Sequence, residues 1–116
     1  METDEQLLHL LGIARRAGAL ALGTEAASQA VRRHRTRLIL LAQGLSRSVA
    51  LVSPRTAAKM RAEAEKTGVR TADIAVGMDS LEYALGKRVG VIAVNDAGFA
   101  KALLALVAEG RGGMTL

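Results

Sequence analysis

Leu38 to Ala42 and Val89 to Val94 are apolar without interruption, and around them apolar residues recur at helical spacing. Leu38-Ile39-Leu40-Leu41-Ala42 shows no polar alternation, the pattern of a central strand covered on both faces. Val89 to Val94 repeats that pattern. Before them, Leu7, Leu8, Leu11 and Ala14 mark a first helix from about Asp4 to Ala17. Thr3 and Gln6 stand at capping-box spacing at its start, Arg15 and Arg16 suit the dipole in its last turn, and Gly18 stops it. Ala19 to Leu22 is a brief strand. Gly23-Thr24 then opens a second helix running to about His34, with Ala26, Ala27, Ala30 and Val31 as a narrow inner face.

Ser53-Pro54 joins a Ser N-cap to a Pro at the first helical position, and predicts a third helix from Pro54 to Thr67 that ends at Gly68. The stretch before it, Gly44 to Val52, reads as a loop or an extra helical turn that Ser46 would cap. Val69 to Val76 is a third strand in which Asp73 sits awkwardly. Asp79 and Glu82 repeat the capping-box spacing and open a short helix that stops at Gly86, followed by a basic turn at Lys87-Arg88. Asn95-Asp96 cap a last helix from Ala97 to about Ala108, with Phe99, Leu103, Leu106 and Val107 inward and the tail GRGGMTL frayed. Such alternation predicts an α/β sandwich with helices on both faces of a four-stranded sheet. With 116 residues, no repeat and no linker, a single domain over 1–116 is expected, its ordered core about 4–108.

Composition narrows the function. Half the residues are hydrophobic, so a core can form, yet Phe99 and Tyr83 are the only aromatics. That counts against modules that stack bases on platforms of aromatic side chains. Sixteen Lys and Arg against eleven Asp and Glu give a net charge of +5, which points to an anionic partner, nucleic acid first. The absence of cysteine removes disulfide frameworks and thiolate metal sites and suits a reducing cytoplasm. METDEQ is too acidic and polar for a signal peptide, and no apolar run approaches the ~20 residues of a membrane span, so no membrane partner is expected.

Enzyme signatures are missing. His9 and His34 lie at unrelated places without a Cys partner, which does not make a metal site. No nucleophile elbow, phosphate-binding loop or dinucleotide fingerprint occurs. Asp73, Asp79 and Asp96 fall near strand ends, where α/β enzymes keep carboxylates, but two of them already cap helices. No catalytic residue, metal or cofactor is therefore expected. The cationic signal is stronger. Arg32, Arg33, Arg35 and Arg37, with His34, place four cations in six residues. The helix dipole accounts for one or two of them, and phosphate contact accounts for the excess. At the other end of the same helix, the Gly23-Thr24 start offers unpaired backbone N–H groups to a phosphate or base edge.

The stretches LLGIARRAGALALGTEAASQAV, LILLAQ and SLEYALGKRVGVIAVNDAGFAKAL, in that order, resemble the L-seven-Ae ribosomal protein family, and more closely its bacterial YlxQ-like branch. The resemblance covers about Leu7 to Leu104. It implies a three-layer α/β/α sandwich with a four-stranded mixed sheet, and binding of structured RNA, often kink-turns. The second helix's N-terminus and the loop before the last strand would make the contact. In kink-turn binders that helix opens with Gly, a small residue, Asn, Glu, two further residues and Lys. Here Gly23 and Thr24 are kept, while the Asn, Glu and Lys positions hold Glu25, Ala26 and Gln29. The opposing loop is Gly86, Lys87, Arg88 and Val89, basic where kink-turn binders offer an apolar, proline-containing wedge. The LGxAxG element is Leu81 to Gly86 with its first glycine replaced by Glu82, the acidic turn after the central strand has become Gln43-Gly44, and Gly44 to Val52 stands as an insertion.

The sequence therefore predicts a cytoplasmic, non-catalytic protein that binds ribosomal or other structured RNA, with ribosome-associated proteins as further partners. Gly23, Thr24, Glu25, Ser28 and Gln29 would line the surface, and Arg32, Arg33, Arg35, Arg37, Lys87 and Arg88 would meet phosphates beside Val89. The departures at Glu25, Ala26 and Gln29 remove side chains that would read a kink-turn, so binding would be mainly electrostatic. The rival reading is a protein-interaction module on the same fold, with Leu45, Val49, Leu51 and Val52 of the insertion as an apolar patch.

Overall fold

The computed structural model describes residues 3–43 and 52–115, with side chains through residue 109. Its elements are α1 (Thr3–Arg16), β1 (Leu20–Leu22), α2 (Thr24–Arg32), β2 (Leu38–Ala42), α3 (Pro54–Thr67), β3 (Arg70–Ile74), α4 (Met78–Leu85), β4 (Val91–Val94) and α5 (Ala97–Thr115). Among the described residues the strands form one mixed four-stranded sheet in the order β1-β4-β2-β3. β4 pairs antiparallel with both β1 and β2, while β2 and β3 run parallel across the α3 crossover. α1 packs on α4 and α5, and α2 packs on α3, giving two helical layers around the sheet. The expected α/β/α sandwich is what forms.

The uninterrupted apolar runs end where both faces of the sheet are covered. Every residue of β2 and β4 is buried, and Ile39, Leu40, Leu41 and Ile92 are wholly enclosed. Removing each such side chain from water contributes about 1.5–3 kcal/mol. β3 is an edge strand, which resolves the position of Asp73: it alternates with buried Ala72 and Ile74 and pairs with Arg61 of α3 at 2.5 Å. α3 spans the expected residues. Ser53 Oγ accepts from the Thr56 N–H at 3.2 Å, Pro54 follows as the first helical residue, and Gly68 closes the helix at φ 74°.

Several expectations need correction. α1 starts at Thr3 and stops at Arg16, one residue earlier at each end. α2 stops at Arg32 rather than His34, in a Schellman closure made without glycine. The Arg35 N–H donates to the Ala30 carbonyl and the His34 N–H to the Val31 carbonyl, each at 3.0 Å, and His34 takes the left-handed φ of 56°. Asp79 is not a cap: Gly77 holds that position with no side-chain bond, and Asp79 lies inside the first turn of α4. β3 and β4 are shorter than the stretches that predicted them, Val69 to Val76 and Val89 to Val94. α5 continues past Ala108 to Thr115, so helix replaces the frayed tail over 110–115. The insertion's residues 44–51, with Ser46 and most of its apolar patch, lie outside the described residues, as does residue 116. Among the described residues, no helix is long and apolar enough to cross a membrane.

Candidate nucleic-acid interface

α2 begins where β1 ends. The Gly23 N–H donates to the Val91 carbonyl at 2.8 Å and the Gly23 carbonyl accepts from Ala27 at 2.9 Å, which pins the helix start to the entry of β4. Gly23 sits at φ 98°, a backbone conformation that only glycine adopts without strain. No side chain caps this helix, whereas Ser53 caps α3 and the Asp96 carboxylate accepts from the Phe99 N–H at 2.8 Å at the start of α5. The first-turn N–H groups of α2, with their share of the helix dipole, are left to an external acceptor.

The turn after α4 comes to the same place. A Cβ built on Gly23 would stand 4.0 Å from Val89 Cγ1, so the helix start and the 86–89 turn are packed side by side. Val89 is buried as part of the core. Its expected place on a binding surface is therefore corrected: Val89 joins the two segments from beneath. Gly90 tightens the junction further, since a Cβ there would meet Val52 Cγ2 at 2.5 Å and the Met78 side chain at 3.3 Å. Lys87 is exposed on the turn. Arg15 of α1 reaches it, its guanidinium 3.5 Å from where a Cβ would stand on Gly86. The sequence offered Arg15 only as a dipole partner, because nothing in the local pattern places α1 against the α4 terminus.

Arg88 folds back. Its guanidinium pairs with Asp79, and with Glu82 at 3.3 Å, both carboxylates belonging to α4. The hydrogen bond and charge of Asp79, then those of Glu82, raise the guanidinium pKa above its ordinary value. Asp79 thus serves Arg88 rather than the backbone, and part of the turn's expected positive charge is offset within the protein.

Ser28 also departs from expectation. It is buried with Ala27, Ala30 and Val31, and its Oγ approaches Met60 Sδ of α3 at 3.6 Å. Ala26, expected inward, is exposed instead. The buried stripe of α2 is turned toward α3, and the outer stripe carries Glu25, Gln29, Arg32 and Arg33 at helical spacing, all exposed.

The Arg cluster occupies the opposite end of α2. Nine helical residues set it about 13 Å from the helix start. The Arg37 N–H donates to the Val94 carbonyl at 2.8 Å, at the far end of β4 from Gly23, and buried Thr36 donates to the Asn95 side-chain oxygen at 3.1 Å. Arg32, Arg33, His34, Arg35 and Arg37 all face solvent. The surface is therefore two cationic ends joined by the outer stripe of α2. The three carboxylates considered for catalysis have structural partners: Arg61 for Asp73, Arg88 for Asp79, the Phe99 N–H for Asp96. Among the described residues no three His, Cys, Asp or Glu side chains gather to hold a metal ion.

The fold defined by these layers recurs in solved structures. The chain is similar to a protein of unknown function from Bacillus halodurans C, with 29% identity and a TM-score of 0.76 over 87% of this chain and 95% of that one. It is also similar to the Giardia lamblia 15.5kD RNA binding protein, with 16% identity and a TM-score of 0.65 over 92% of this chain and 86% of that one. The second likeness is one of fold. No family model matches the chain. No curated protein matches it significantly.

Proposed function

We propose that this protein is a non-catalytic RNA-binding protein of the L-seven-Ae kind, YlxQ-like, acting in the cytoplasm on ribosomal or other structured RNA. The observation that carries the reading is the packing of the uncapped α2 start against the 86–89 turn, with an exposed stripe leading from there to the Arg cluster. The Giardia neighbour, an RNA-binding protein of the same fold, supports it.

In this reading the backbone N–H groups of the first α2 turn hold one phosphate or base edge. Lys87 and Arg15 neutralise phosphates beside it, and Arg32, Arg33, Arg35 and Arg37 do so about 13 Å further along. Two separated cationic ends suit an RNA whose backbone runs along α2. The side chains between them, Glu25 and Gln29, cannot supply the amide and lysine contacts of a kink-turn reader, so binding to a kink-turn stem and to the same stem without its G·A pairs should be similar in a gel shift. The broader test is crosslinking in cells followed by sequencing of the attached RNA. Enrichment of defined structured segments is the expected result; crosslinked RNA no greater than for an unrelated basic protein would overturn the proposal.

A further inference from the structure

Tyr83 is the one large hydrophobic side chain left fully open among the described residues, at 95% exposure. The other aromatic, Phe99, packs against the core in the ordinary way. A tyrosine held out in water forgoes the burial that stabilises such rings elsewhere, and its rigid flat face suits stacking. Its surroundings say what would stack. Tyr83 lies in the last turn of α4, four residues before Lys87 and next in sequence to Glu82, one of the two carboxylates that Arg88 pairs with. By pairing with Asp79 and Glu82, Arg88 offsets one of their two charges, and both Lys87 and Arg15 stand at the helix end.

An exposed aromatic face on a helix that ends in cations, with one of its two nearby carboxylate charges offset by Arg88, suits an unpaired nucleobase: the ring stacks on the base while the cations meet its flanking phosphates. We infer that Tyr83 is a stacking site for an unpaired base of the bound RNA. The inference rests on the RNA-binding reading and extends the contact from the α2 start, around the 86–89 turn, onto α4.

The chain has one tyrosine and no tryptophan, so its tyrosine emission reports on Tyr83 alone. The test titrates the full-length protein with a labelled RNA hairpin carrying an unpaired purine loop, and separately with a fully paired duplex of equal length. Polarisation follows binding and tyrosine emission follows stacking. The expected result is that the hairpin quenches the emission by half or more and the duplex leaves it nearly unchanged. Tyr83→Ala and Tyr83→Leu should weaken hairpin binding by about 5-fold or more, as loss of one stacked base requires, with Tyr83→Phe close to the parent and duplex binding unaffected. Binding of the hairpin with unchanged emission and unchanged affinity in Tyr83→Ala would overturn the stacking site while leaving RNA binding in place. No polarisation response to either RNA would overturn both.

Discussion

Replacing Asp79 by Asn and Glu82 by Gln together should tighten RNA binding, although neither carboxylate is expected to touch RNA. Both hold the Arg88 guanidinium against α4. The double substitution removes two negative charges and frees the guanidinium to swing toward a phosphate. One added phosphate contact steepens the dependence of log Kd on log salt by about 0.7–0.9, and near 0.15 M salt that corresponds to roughly 4-fold higher affinity. The assay is fluorescence polarisation with a labelled structured RNA at several salt concentrations, for the parent, the double variant, Arg88→Gln and Lys87→Gln. Lys87→Gln should lower the slope by close to one full contact. Arg88→Gln should lower it by clearly less, since its charge is already offset in the parent. All of these groups are solvent-exposed, so thermal stability should change little across the set. An unchanged or weaker affinity in the double variant, or equal losses in the two single variants, would refute the claim that Arg88 is internally engaged.

Ser28→Ala should leave RNA affinity within about 2-fold of the parent and shift stability by no more than about 1 kcal/mol, because Ser28 faces Met60 rather than solvent; polarisation and chemical denaturation check the two halves. His34→Gly should raise stability by up to about 1 kcal/mol in denaturant titration, relieving the left-handed backbone at φ 56°. Gly90→Ala should destabilise by about 1–3 kcal/mol in the same experiment, since its methyl group would stand 2.5 Å from Val52 Cγ2 at the floor of the candidate interface.

What the sequence made legible is what local pattern and burial decide together. β2 and β4 were readable because strands covered on both faces carry no polar residue, and α3 because Ser53, Pro54 and Gly68 mark its ends by backbone chemistry that needs no tertiary partner. The candidate site was harder. Ser28 reads as a surface residue by polarity, but its small side chain fits the close approach of α2 to α3. Asp79 has the spacing of a cap, and a cation nine residues later took it instead. His34 occupies a position where glycine is the usual signal, which is why the end of α2 was misplaced by two residues. The sequence set the Gly23-Thr24 start and the Arg cluster at opposite ends of one helix, and α2 separates them in that way. Arg15 entered from α1 through packing alone.

In the proposed function RNA lies along α2 and engages both of its ends. Six cations remain committed to phosphate there, Arg15, Lys87, Arg32, Arg33, Arg35 and Arg37, which sets a slope of log Kd against log salt of about 4–5.5. A polarisation titration of the full-length protein with structured RNA between roughly 50 and 200 mM salt measures it directly. The expected loss of affinity over that range is roughly 10²–10³-fold, and the slope should fall by about half when Arg33, Arg35 and Arg37 are all changed to Gln. Affinity independent of salt, or a slope untouched by removing that cluster, would contradict it.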